Sequence, residues 1–233
     1  MAYSFVSATS SGNTSTTLGL TINTGESLVI LAGDEVNQNS TLTISDTLGN
    51  TYAVRGTMND VFNGGTRTLI DCLNGTAGST TLTLAGAPNA QRGFLVLKYT
   101  GLASYSAGSF ANAFFGASPP TSTDGCTTGS ITPTAYAAAL IGFSFAASTT
   151  VMTQGTNFTS RYANATGVGG FNAGYAEDQR LTSGSSIASF TMTAGGNSVS
   201  VVGAAYLETS FNPALVAPFT RTQVFVTDTI VQM

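Results

Sequence analysis

Thr80-Thr-Leu-Thr-Leu84 alternates hydroxyl and aliphatic side chains without a break. Successive side chains of an extended strand point to opposite faces, so Leu82 and Leu84 look into a core while Thr81 and Thr83 look out. Ile187-Ala-Ser-Phe-Thr-Met192 repeats the pattern, with Ala188, Phe190 and Met192 on one face. Asp46-Thr-Leu-Gly-Asn50 reads as a turn between two such strands. Its Asp can accept from the backbone ahead of it, and Gly49 and Asn50 tolerate positive φ.

Working outward, the same signals recur along the chain. Extended segments are predicted at 4–8, 16–22, 27–32, 41–45, 51–55, 66–73, 80–84, 93–99, 137–146, 160–162, 174–181, 187–192 and 198–207. Helical periodicity is nearly absent. Many short strands joined by turns imply an all-β fold, an antiparallel β-sandwich of jelly-roll-like form. The section Ser106–Thr134, rich in Gly, Ser and Pro, reads as a long surface excursion.

The composition limits the chemistry. The chain has 233 residues, 42% of them hydrophobic and only 8% charged, with a formal net charge of −4. It contains no His and no Trp. Without His there is no Ser-His-Asp or Cys-His nucleophile system and no imidazole metal site. The cations Arg55, Arg67, Arg92, Lys98, Arg161, Arg180 and Arg221 are scattered. Nucleic acid is bound by clustered cations, so it is not expected as a partner. No run approaches the roughly 18 apolar residues of a membrane span, and no membrane association is expected. The N-terminus MAYSFVSATSSGNTS has neither a cationic start nor an apolar stretch, so synthesis in a cytoplasm without a signal peptide is expected. Cys72 and Cys126 allow one disulfide or two buried thiols, and the missing secretion signal favours thiols.

The densest charge is in Tyr175-Ala-Glu-Asp-Gln-Arg-Leu181. Glu177 and Asp178 are neighbours on a strand and point to opposite faces, so they cannot form a carboxylate pair. Arg180 shares a face with Asp178 and is expected to bridge to it. The reading adopted is a charged strand with a local ion pair, since strand charges commonly serve solubility and register. A glycan hydrolase would need two acids about 5 to 9.5 Å apart across one cleft, and the spacing assembles no such pair. Asp34, Glu35, Asp46 and Asn50 sit at strand ends, either as oxygen ligands for calcium or as turn-capping groups. The packed calcium-loop pattern is missing, so no metal is expected. Gly167-Val-Gly-Gly170 opens no helix and reads as a loop rather than a phosphate cradle. No catalytic residue and no cofactor are expected.

Two segments are candidates for partner binding. Phe110, Phe114 and Phe115 lie in the excursion, where aromatics suggest a partner or fold back to cap the sandwich. After Glu208 come Pro213 and Pro218 and then a β-prone stretch with Val224, Phe225, Val226 and Ile230. It reads as an extended arm that adds a strand to a neighbour's sheet, or as a last strand of the same domain. The division is therefore a sandwich domain at 1–208 and a C-terminal arm at 209–233.

Several segments carry a family resemblance. They are Gly25-Glu-Ser-Leu-Val-Ile-Leu31, Ile44-Ser-Asp-Thr-Leu-Gly-Asn-Thr-Tyr52, Phe94-Leu-Val-Leu-Lys-Tyr-Thr-Gly101, Tyr136-Ala-Ala-Ala-Leu-Ile-Gly142, Tyr175-Ala-Glu-Asp-Gln179 and Val201-Val-Gly-Ala-Ala-Tyr206. Together they resemble a β-sandwich module of phage virion proteins and bacterial surface or secreted proteins, over residues 1–208. The module's usual tryptophans are missing here. The resemblance implies a fold and no catalytic residues. With the sparse charge, it leads to the expectation of a non-enzymatic bacteriophage virion component. That component would be a capsid decoration protein or a head- or tail-fibre subunit, working by protein–protein assembly. Its expected partners are other virion proteins and further copies of itself, a trimer being one option. The alternative is a module that binds a host-surface glycan or receptor.

Overall fold

The computed structural model describes residues 2–12, 14–34, 40–59, 65–86, 92–115, 125–135, 138–146, 151–164, 173–182, 184–192 and 199–209. The fold is all-β and antiparallel, as the alternation predicts. The strands are β1 (Ser4–Ser10), β2 (Thr17–Ile22), β3 (Glu26–Asp34), β4 (Thr43–Asp46), β5 (Ala53–Asn59), β6 (Thr66–Cys72), β7 (Gly78–Ala85) and β8 (Arg92–Thr100). They continue with β9 (Leu102–Tyr105), β10 (Ala111–Phe115), β11 (Gly125–Thr127), β12 (Ala138–Ala146), β13 (Met152–Gln154), β14 (Thr159–Asn164), β15 (Ala173–Leu181), β16 (Ser189–Met192) and β17 (Val199–Glu208).

Each segment predicted as extended contributes a strand. The excursion at 106–134 is corrected: β10 and β11 lie inside it, and β10 pairs with β17 from Ala111↔Gly203 to Phe115↔Val199. β9 and β13 also went unforeseen, because strands of three or four residues carry too little alternation to be seen.

The strands form four sheets. β1–β8–β3–β6–β5 and β10–β17–β12–β15–β14 are large, and β2–β7–β4 and β11–β16–β13 are small. The second half repeats the first strand for strand. β3 corresponds to β12, β6 to β15, β8 to β17, and β2–β7–β4 to β11–β16–β13. β9 and β10 both pair with β17 and together take the place of β1. Each half has the jelly-roll order, with its fifth strand moved onto the large sheet. The span read from sequence as one sandwich thus holds two, joined at Gly101. This residue has φ +78°, and a Cβ there would meet the Ala2 carbonyl oxygen at 2.7 Å.

Alternation along each large sheet divides the cores. In β3, Leu28, Ile30 and Ala32 face the first small sheet, while Val29 and Leu31 face the other large sheet. In β12, Leu140 and Ala146 face the second small sheet, while Ile141, Phe143 and Phe145 meet Val29 and Leu31 in one central core. The two sandwiches are therefore stacked back to back in four layers through a shared apolar slab. This burial is the main force holding them together.

Candidate functional site

The described acids are almost all inside. Glu26, Asp34, Asp71, Glu177, Asp178 and Glu208 are buried. The expectation that YAEDQRL serves solubility is therefore corrected: β15 is a central strand, and its charges meet partners between layers. Glu177 and Asp178 do point to opposite faces, as the strand period requires, with Asp178 toward the first sandwich and Glu177 toward β11–β16–β13. Arg180 pairs with Glu208 at 2.6 Å and not with Asp178. Asp178 is instead held by Arg161, which lies one strand away and approaches from a bulge.

Two matching charge stations lie between the large sheets. Arg55 occupies a bulge of β5, and its Nε and Nη2 donate to Asp71 at 2.6 and 2.8 Å. Its guanidinium stacks 4.8 Å over the Tyr105 ring, and Tyr105 meets Tyr206 edge-on at 5.8 Å. In the second station, Arg161 in a bulge of β14 donates to Asp178 at 2.8 Å and stacks 4.7 Å over Phe5. Phe5 meets Tyr99 edge-on at 5.6 Å, and the Tyr99 hydroxyl donates to Asp178 at 3.0 Å. In both stations one sandwich supplies the ion pair and the other supplies the aromatic pair. Tyr206 turns its hydroxyl toward Asp71 but stops short of hydrogen-bonding geometry. Burial first, then the facing carboxylate, pushes both tyrosines well above their ordinary range.

Glu177 stands apart. Its Oε2 accepts from the Gly155 N–H at 2.8 Å and its Oε1 from the Ser189 N–H at 2.9 Å. Burial pushes its pKa up and outweighs these two bonds; the Asp178 charge adds to the rise, and the value reaches about 7.

Of the strand-end acids, Asp46 caps its turn. Asp46 accepts from the amides of Leu48 and Asn50, the Asn50 side chain and the Tyr52 hydroxyl, all between 2.6 and 3.1 Å. These donors occupy its oxygens, which corrects the calcium alternative at that turn; Glu35 lies outside the described residues. Among the described residues no three His, Cys, Asp or Glu converge as metal ligands. Cys72 and Cys126 are not joined in a disulfide and are buried in different sandwiches. Burial, with Asp46 and Asp71 nearby, pushes the Cys72 thiol up to about 11. A surface groove of about 400 Å³ at one end of the first sandwich is lined by Thr24, Gly25, Asn74, Thr100, Gly101 and Thr209.

Two aromatics of the excursion, Phe110 and Phe115, fold inward. Phe110 packs onto Gly56, where a Cβ would collide with its ring, and its amide donates to the Tyr105 hydroxyl at 3.1 Å. Phe115 packs on the core of the second sandwich. Phe114 contributes backbone pairing to Ser200. Val224, Phe225, Val226 and Ile230, and the loop Gly167–Gly170, lie outside the described residues.

Sequence reasoning missed the stations. One signal was present: Asp71 and Tyr99 stand as far apart as Asp178 and Tyr206, each Asp with an Arg one strand earlier. No family model, curated protein or solved structure matches this chain.

Proposed function

We propose that the protein is a non-enzymatic structural component of a bacteriophage virion, a capsid decoration or fibre subunit that works by packing against other proteins. The observation that carries this reading is the inversion of charge. Of the described charged residues only Arg180 is exposed, and Glu208 binds its guanidinium at 2.6 and 2.7 Å. The outer face of the first small sheet presents Thr17, Thr21, Ser45, Ser79, Thr81 and Thr83, all exposed and uncharged. The second presents Thr153 and Thr191. Such faces associate without like-charge repulsion and without stripping water from ions. Ion pairs buried between the layers leave the outside flat and hydroxyl-covered. The family resemblance points the same way. Binding of a host-surface glycan finds less support, because Phe110 and Phe115 turn inward.

The test is the mass in solution by light scattering, for the full chain and for a version ending at Glu208, together with co-sedimentation on purified phage particles. An oligomer, or saturable binding to particles, is the expected result. A chain that stays monomeric and binds no particle would remove the proposal. An oligomer that falls to monomer on truncation would assign assembly to residues 209–233.

A further inference from the structure

We propose that the free edge of β2 pairs with β2 of a second copy of this chain, antiparallel and about a two-fold axis at Gly19. This contact is one concrete form of the assembly proposed above and rests on that reading. The backbone carries it. The Thr16 carbonyl accepts from the Leu84 amide, so β2 bonds to β7 through Leu18, Leu20 and Ile22. Thr17, Gly19 and Thr21 therefore turn their amides and carbonyls away from the sheet. Side chains hold the two ends. The Ser15 hydroxyl bonds the Thr17 carbonyl at 2.9 Å and its amide at 3.3 Å, and the Lys98 ammonium donates to the Thr21 carbonyl at 3.0 Å. Between them, the Gly19 amide and carbonyl and the Thr21 amide meet no hydrogen-bond partner among the described residues.

Exposed sheet edges invite strand addition, and folded proteins blunt them. Among the described residues every other outer strand is blunted. β1, β5 and β14, at the edges of the large sheets, are each broken by a bulge, and β9 pairs irregularly. β4, β11 and β13 are four, three and three residues long, and β10, of five, has β11 beside it. β2 has six residues and regular pairing. At its middle Gly19 is exposed, and a Cβ there would meet nothing within 4 Å. A glycine inside a strand weakens it, and one use of such a position is the close approach of another backbone.

A second β2 fits this edge on both faces. With Gly19 opposite Gly19 of the second copy, the two glycines exchange two hydrogen bonds, and each Thr21 amide donates to the other copy's Thr17 carbonyl. That carbonyl has a lone pair beyond the one Ser15 uses, so no existing bond has to break. On the inner face Leu18 meets the second copy's Leu20; both border the first core and are only partly buried. On the outer face Thr17 stands opposite Thr21, a favourable cross-strand pair. No like charges meet, because Thr17–Ile22 carries none.

Gly19→Lys and Gly19→Glu test the contact in the full chain, with mass read by light scattering. Each variant sets two like charges opposite each other across the axis, where they are destabilising. The wild type is expected as a dimer or a multiple of one, and each variant at half that mass. A 1:1 mixture of the two variants is expected to recover the wild-type mass, since Lys then faces Glu. A monomeric or odd-numbered wild type, variants that keep its mass, or a mixture that stays at half would each overturn the inference. So would a wild type that falls to monomer when cut at Glu208, which would make residues 209–233 the added strand. Amide hydrogen exchange of the wild type decides even where neither variant folds. Gly19 and Thr21 should be protected at high protein concentration, and exchange there at the rate of open amides would sink the pairing. Particle co-sedimentation keeps the two readings apart: a chain that binds particles but never pairs would overturn this contact and leave the virion proposal standing.

Discussion

The two sandwiches share a strand order, and the chemistry of their cores departs most sharply in one row. Across the first large sheet, Val96, Ile30 and Ile70 lie side by side. Across the second, Gly203, Gly142 and Glu177 occupy the same row. Three aliphatic side chains have become two glycines and an acid. The glycines make room: a Cβ at Gly142 would stand 2.7 Å from the Ala188 methyl, and one at Gly203 2.7 Å from the end of Ile131. The lesson is that strand pairing fixes the topology, while the filling of a layer is free to change if volume and hydrogen bonding are balanced.

The comparison can be broken hardest at the shared stations. Asp178→Ala and Asp71→Ala each leave a half-buried guanidinium without its carboxylate and should each cost about 3 kcal/mol in urea unfolding, the low end for breaking a buried pair. A mild result for one of them would show that the stations are not equivalent. The tyrosines sharpen the contrast. Tyr99→Phe removes a hydrogen bond to a charged acceptor and should cost about 1.5–3 kcal/mol. Tyr206→Phe removes a hydroxyl with no hydrogen bond, so its unfolding midpoint should stay near that of the wild type. Gly203→Ala tests the altered row and should cost about 1–3 kcal/mol through overpacking. The smallest effect concerns the thiols. Native protein should react with a thiol reagent far more slowly at Cys72 and Cys126 than denatured protein, since both are buried and Cys72 resists ionisation.

Much of the architecture was legible. The alternation at Thr80–Leu84 became β7 with Leu82 and Leu84 inside, and the Asp46–Asn50 turn formed as its residues dictate. The duplication was not legible. It lives in which strand pairs with which, and Ile30 and Gly142 share a register position without sharing chemistry. The partner of Asp178 was misread for a related reason. Arg180 is near in sequence, but Arg161 reaches it across the sheet from a bulge, and bulges carry no period-2 signal. The burial of Glu177 was hidden too, since a charged residue reads as surface until its amide partners are known.

The shared slab also bears on how the chain is made. A ribosome delivers the first sandwich before the second exists. Until β12 and β17 emerge, Val29, Leu31, Leu95 and Leu97 form a greasy face with no cover. Arg55 and Asp71 likewise wait for Tyr105 and Tyr206, the latter two residues short of the end of β17. On a crowded polysome, the first half of a neighbouring chain presents Phe5 and Tyr99, the same kind of aromatic pair. Synthesis is thus a race between the chain's own second half and its twin's first.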